Sequence, residues 1–301
     1  MGALIECVPN FSEGRVIATI DALADVIRSN PELSLLDRQS DVDHNRSVFT
    51  FVGRSNAIET TAFELAKTAK ALIDLRQHQG VHPRIGSTDV MPFVPLKLAD
   101  THECVALAKA VGSRIASELN IPVFLYEQAT TTMSRVLEDL RRGSVEGLRK
   151  RMRNDPRWEP DFGALDPHPT AGVMAIGVRQ ILVAFNVNLA STDLAIAKAI
   201  AQTVRTSDGG FKHVKAMGVQ LRSRGIVQVS MNLTNVDETP IRPVFEAIET
   251  AAERYGVTIV GSEIVGLVPE RALKNTENIN LQLEHFSDEQ LLERHLQAPI
   301  S

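Results

Sequence analysis

Apolar positions in the second half of the chain switch between two periods. Gln180-Ile-Leu-Val-Ala-Phe-Asn-Val187 is a short continuous apolar run of buried-strand length. Ser191-Thr-Asp193 then offers N-capping oxygens, and Leu194, Ile196, Ala197, Ile200 and Val204 recur at helical spacing until Asp208-Gly-Gly210. Val214–Leu221 and Gly225–Leu233 read as two strands joined through Ser223-Arg-Gly225, a hairpin signal. Thr239-Pro240 opens a second helix carrying Val244, Ile248, Ala251 and Ala252, which Gly256 closes. A last strand runs from Val257 through Val268, with a bend expected at Gly261. The predicted order is β-α-β-β-α-β, the ferredoxin-like unit.

The first half repeats that order. It predicts a strand over Ala3–Val8, a helix over Val16–Ile27, strands at Leu33–Leu36 and Ser47–Val52 around the polar loop Ser40–Arg46, a helix over Asn56–Leu75, and a strand over Ser87–Pro95. Ile85-Gly-Ser-Thr-Asp-Val-Met-Pro-Phe-Val-Pro95 also echoes Val260-Gly-Ser-Glu-Ile-Val-Gly-Leu-Val-Pro269. Matched order and local echo predict an α+β protein of two ferredoxin-like subdomains from an internal duplication, 1–178 and 179–301. Between them lie a helix over Glu103–Glu118, a strand over Ile121–Leu125, a basic helical stretch from Met133 to about Met152, and an irregular loop, Asp155–Gly172. Four prolines keep that loop from regular structure, and loops of its length are usually functional sites or linkers. Ser287-Asp-Glu-Gln290 reads as a capping box opening a C-terminal helix through Leu296.

Composition narrows the function classes. The 301 residues are 44% hydrophobic and 23% charged, with a net charge of −5. Nucleic-acid binders draw affinity from neutralising phosphates, so an acidic chain argues against a nucleic-acid partner. The densest basic run, Arg149-Lys-Arg-Met-Arg153 following Arg141 and Arg142, reads as the solvated face of a helix. No apolar run approaches the roughly 18–20 residues that span a bilayer, and no secretory leader is evident, so no membrane partner and a cytoplasmic location are expected. Two cysteines, Cys7 and Cys104, make neither a disulfide framework nor a cysteine metal site.

The densest polar cluster is Gln77-His-Gln-Gly-Val-His-Pro-Arg-Ile-Gly-Ser-Thr-Asp89. His78 and His82 have helical metal-ligand spacing, but Gly80 and Pro83 oppose a helix there, so no metal is expected. A histidine in such a turn suits acid–base work near neutral pH, or simply bonds its own loop. Asn10, Ser12 and Glu13 either bind a ligand at the first helix's N-terminus or cap it. Arg46, Arg84 and Arg179 are candidates to hold carboxylates, or are surface ion-pair residues.

Through Glu6-Cys-Val-Pro-Asn-Phe-Ser-Glu-Gly14, Asn45-Arg46, Thr50-Phe-Val-Gly53, Gly80–Gly86, Asp161-Phe-Gly163, Thr170-Ala-Gly172, Ala184–Asn188, Gln228-Val-Ser230, Asn232 and Gly261–Pro269, the chain resembles the formiminotransferase domain family. The match covers essentially the whole chain, in the form without a cyclodeaminase domain. It implies transfer of a formimino group from N-formimino-L-glutamate to N5 of tetrahydrofolate, in histidine degradation, with tetrahydrofolate as co-substrate and no metal. It further implies two ferredoxin-like subdomains with facing sheets, folate in a tunnel, and a homodimer. The family's catalytic histidine falls on His82. Its folate-contacting loop falls on Gly163, Ala164, Leu165, Asp166, Pro167, His168, Pro169, Thr170, Ala171 and Gly172. Asn10, Arg46, Arg84 and Arg179 are the candidate substrate contacts. Alternatives are formyl transfer or 5-formyltetrahydrofolate metabolism, and a noncatalytic folate or amino-acid binding module.

Overall fold

In the computed structural model, which describes residues 3–130, 135–274, 276 and 279–297, the chain divides into two units, one running to Arg179 and the other starting at Gln180. The first unit opens with an interrupted strand, β1 (Ile5–Cys7) and β2 (Asn10–Phe11), broken where Pro9 lacks a ladder donor. Then come α1 (Ile17–Arg28), β3 (Leu33–Asp41), β4 (Arg46–Gly53), α2 (Ser55–Leu72) and β5 (Thr88–Pro95). An extension adds α3 (Thr101–Leu119), β6 (Val123–Glu127), α4 (Leu137–Arg141), α5 (Ser144–Asn154) and β7 (Met174–Val178).

These strands form one sheet, ordered β3, β4, β1/β2, β5, β7, β6. The first four members pair antiparallel, and β7 joins β5 and β6 in parallel. One face is covered by α1, α2 and α3. Ile20, Leu23 and Ile27 of α1 lie one helical turn apart and meet Phe49, Phe51 and Phe93 in a single core; burying each such side chain stabilises the fold by about 1.5–3 kcal/mol. On the other face, Leu140 of α4 and Leu148 and Met152 of α5 pack on Val90, Phe124, Tyr126 and Ala175. Asp100 caps α3 by accepting the Glu103 N–H at 2.8 Å, and Asn120 ends it in the left-handed conformation.

The second unit contains β8 (Val183–Leu189), α6 (Leu194–Val204), β9 (Val214–Leu221), β10 (Ile226–Leu233), α7 (Ile241–Arg254), β11 (Ile259–Val265) and a short α8 (Leu292–Gln297). Its sheet is ordered β11, β8, β10, β9, all antiparallel. Phe185, Val187, Val229 and Met231 alternate toward α6 and α7. Asp193 caps α6, Gly256 stands past α7 at φ 66°, and the β11 register slips between Ile259 and Gly261. Leaving aside β7 and β6, which extend the first sheet beyond β5, the strand order in both units runs fourth, first, third, second, counting the β1/β2 pair as one strand.

The mixed α+β class is what the structure has. Four details depart from the sequence reading. The basic stretch is two helices, because Gly143 takes a left-handed φ of 74° between α4 and α5; its expected start at Met133 lies outside the described residues. Arg151 then folds back, donating to the carbonyls of Asp139, Leu140 and Arg142 at 2.7–3.0 Å, and stacks its guanidinium on Trp158. The strands run into the polar segment Ser40–Arg46 from both ends, β3 through Asp41 and β4 from Arg46, leaving a turn at 42–45 in which Asn45 adopts φ 47°. The Ser287 side chain makes no cap, and the last helix starts at Leu292. β7, absent from the sequence reading, is buried on both faces, so it shows no alternation to detect.

Candidate active site

A bulge in β5 sets the site. β2 pairs Asn10 with Val90 and Phe11 with Thr88, so Asp89 between them is skipped. Such an extra residue re-aims its side chain. The Asp89 carboxylate is fully buried, and its Oδ1 accepts the Ile85 N–H at 2.7 Å. Its Oδ2 accepts Arg46 Nη1 at 2.7 Å and Arg141 Nε and Nη2 at 3.0 and 2.5 Å. Arg46 in turn donates through Nε and Nη2 to Asn10 Oδ1 at 3.1 and 2.7 Å. Asn10, Arg46, Asp89 and Arg141 therefore form one hydrogen-bonded cluster drawn from β2, β4, β5 and α4.

Burial alone would raise the Asp89 carboxyl, but Arg141 and Arg46 hold it well below the usual carboxylate range. Burial and the Arg141 charge bring Arg46 down to about 10 against the pull of Asp89. Tyr126 lies against the backbone of Gly177, where a Cβ would stand 2.3 Å from the ring, and burial pushes its phenol up to about 12.

His82 sits on the loop before β5. Its Nδ1 lies 2.7 Å from the Pro83 carbonyl oxygen, which only accepts, so Nδ1 carries a proton. Burial first, then the charges of Arg46 and Arg141, hold the imidazole well below its ordinary value, with Asp89 opposing. The ring is neutral near pH 7 and Nε2 keeps its lone pair. His44, from the β3–β4 turn, packs its ring 5.9 Å from that of His82. Asn45 ties this turn to the loop: its Oδ1 accepts the Gly14 N–H, its Nδ2 donates to Gln79, and its carbonyl accepts from His78 Nε2 at 2.8 Å. Gly80 is required because a Cβ would meet the His44 carbonyl at 2.2 Å. A cleft of about 300 Å³ is lined by His78, Gln79, Gly80, His82, Arg84 and Ser144.

The other predicted residues divide. Arg84 borders the cleft, but its guanidinium pairs with Glu146 at 3.2 Å. Arg179 follows β7, its N–H bonded to the Phe93 carbonyl, and its charge opposes the rise that burial gives the Glu6 carboxyl. In the segment Gly163–Gly172, Gly163 and Gly172 take φ of 96° and 71°, and Gly163–Asp166 are exposed. His168 and Gly172 exchange backbone bonds at 2.8 and 2.9 Å, while Thr170 and Ala171 accept the N–H groups of Leu75 and Ser87. The structure thus brings the end of this segment beside the His82 loop.

Sequence reasoning missed Arg141, which lies 52 positions beyond Asp89 inside a run read as solvated. The available signal was Leu137 and Leu140 in that run, an apolar pair that seats the helix and buries one side of it. It also missed a buried polar network in the second unit. There Gln228 Nε2 donates to Asn188 Oδ1 and Glu263 Oε1 at 2.9 Å each, and Asn186 Nδ2 also reaches Glu263 at 2.9 Å.

Comparison with known proteins bears on both units. The model of the formiminotransferase domain, N-terminal subdomain, matches residues 4–179, and that of the formiminotransferase domain matches 184–295. The chain is 48% identical over 298 residues to a glutamate formimidoyltransferase of Streptococcus pyogenes, covering 98% of this chain and 99% of that one. It is 43% identical to a glutamate formimidoyltransferase of Thermoplasma acidophilum, covering 98% of each. A mouse formimidoyltransferase-cyclodeaminase is 41% identical over 91% of this chain and 51% of its own length.

Proposed function

The chain belongs to the formiminotransferase family, and from that premise we propose that it is an enzyme moving the formimino group of N-formimino-L-glutamate to N5 of tetrahydrofolate, a step of histidine degradation. Tetrahydrofolate is the co-substrate. The observation that carries the site is His82, a neutral imidazole whose Nε2 meets no partner among the described residues, beside a cluster of surplus positive charge.

In the reaction, N5 attacks the amidine carbon and forms a tetrahedral intermediate. N5 gives up its proton to His82 Nε2, and the bond from that carbon to the glutamate nitrogen breaks. His82 returns the proton to the departing nitrogen, leaving 5-formiminotetrahydrofolate and glutamate. One group serves as acid and base, a role that contributes about 10²–10⁴-fold. The lowered pKa keeps His82 unprotonated before attack, and the same surplus charge makes its protonated form a strong donor to the leaving group. Holding both substrates beside it supplies proximity.

The segment Gly163–Gly172 is assigned to folate, supported by its anchoring against Ile85–Ser87. Asn10 and Arg46 are assigned to the substrate site through Asp89, which they hold in place together with Arg141, and Arg84 and Arg179 are assigned as further cations for substrate carboxylates. The two units are assigned as the N-terminal and C-terminal subdomains, two ferredoxin-like βαββαβ copies from one duplication, supported by the strand order they share.

The test is turnover of purified protein with N-formimino-L-glutamate and tetrahydrofolate, following glutamate release, with His82→Ala alongside. Turnover lost in a folded variant is the expected result. A wild type that binds tetrahydrofolate without releasing glutamate would refute the assignment.

A further inference from the structure

Two guanidiniums share one oxygen of Asp89, and among the described residues no second carboxylate pairs with either of them. Arg46 and Arg141 side chains are only 11% and 13% exposed, and Asp89 is closed to solvent. A buried charge without a partner is costly, and proteins keep one where a ligand supplies the counter-charge. The two arginines are not equivalent. Arg46 turns all three nitrogens inward, to Asn10 and Asp89. Arg141 uses Nε and Nη2 on Asp89, and its Nη1 meets no acceptor among the described residues. Arg141 is therefore the member of the cluster with donor capacity to spare, and Asp89 fixes the plane of its fork.

We propose that Arg141 is the specificity residue for the donor, reading the α-carboxylate of the formimino amino acid through its free guanidinium edge. The inference rests on the function proposed above. The α-carboxylate, rather than the γ, is the one that matches, because it sits one carbon from the nitrogen that leaves. His82 must serve that nitrogen, and the Arg141 guanidinium held by Asp89 lies near enough for its charge to act on the His82 ring. A fork held in one plane suits a carboxylate, which it engages with two parallel donors. The neutral α-carboxamide offers one acceptor and opposes its own NH2 to the guanidinium.

The test compares N-formimino-L-glutamate with its α-carboxamide, N-formimino-L-isoglutamine, and its γ-carboxamide, N-formimino-L-glutamine, in wild type, Arg141→Met and Arg141→Lys. Wild type is expected to prefer the α-acid over the α-amide by about 10- to 100-fold in kcat/KM, the range of a charge-assisted hydrogen bond. In Arg141→Met that ratio falls to within about threefold of one, through a raised donor KM, while the tetrahydrofolate KM and the preference over the γ-amide stay. Arg141→Lys, which keeps the charge and loses the fork, gives an intermediate ratio. An unchanged α-acid preference in Arg141→Met, or a loss confined to kcat, overturns the proposal. So does a wild type indifferent to the α-amide, whatever the variants do. Absence of transfer from any donor would instead refute the proposed function. Arg141 would then be judged by calorimetry of L-glutamate against L-isoglutamine, where equal affinities refute it.

Discussion

Replacing Asp89 by Asn removes one charge and leaves the shape, so it isolates the electrostatics of the cluster. Asp89 accepts the Ile85 N–H on one oxygen and three guanidinium donors on the other. An amide satisfies only one side: with its oxygen toward Ile85, its NH2 faces both arginines; flipped, its NH2 faces the Ile85 N–H. Breaking a buried pair by removing one partner costs about 3–5 kcal/mol. For a unit of this size that lowers Tm by about 6–20 °C. The assay is thermal unfolding at pH 7 of wild type, Asp89→Asn, Arg141→Met and the double variant. Arg141→Met leaves Asp89 paired with Arg46 alone, so it should cost less than Asp89→Asn. The double variant, with one cation fewer, should recover part of the Asp89→Asn loss. A Tm for Asp89→Asn within about 2 °C of wild type, or a double variant worse than Asp89→Asn, would show that charge compensation is not what Asp89 provides.

His82→Ala should lower kcat by about 10²–10⁴-fold with a near-native Tm, since its side-chain hydrogen bond among the described residues is to the adjacent Pro83 carbonyl; circular dichroism and turnover check both. The folded pKa of His82 is depressed, so the unfolded chain binds its proton first as pH falls; stability is full above about 6.5 and declines below it, a slope that His82→Ala should reduce in denaturant titrations from pH 7 to 5. The acid limb of kcat/KM should likewise fall below the ordinary histidine value, and should move up in Arg141→Met, where a nearby positive charge is lost. Gly80→Ala forces a Cβ within 2.2 Å of the His44 carbonyl, so it should cost activity by displacing the His82 loop, with tetrahydrofolate binding less affected. Cys7 and Cys104 are buried and burial pushes both thiols up, Cys104 to about 12, so a thiol reagent should leave the native protein untouched and modify both in denaturant; fast reaction in the native state would contradict their placement.

Local chemistry along the chain was enough for most of the fold. Helices α1, α2, α6 and α7 were legible because each pays its entropy with one apolar stripe, and β9 and β10 because hairpin turns announce themselves in glycine and short polar runs. The cluster around His82 was legible for a related reason: Gly80, Pro83 and Gly86 are residue types a helix or strand interior rejects. Where a signal needs a partner distant in sequence, the chain by itself is silent. β7 looks like any apolar run until β5 and β6 flank it. Arg141 looks solvated until α4 seats Leu140 and turns the guanidinium onto a carboxylate 52 positions earlier. Sequence determined most of the segments that become helix or strand, and that an imidazole stands on the loop before β5. Tertiary structure decided the lowered pKa of that imidazole and the surplus charge beside it. These depend on burial and on distances between groups that the chain brings together only by folding.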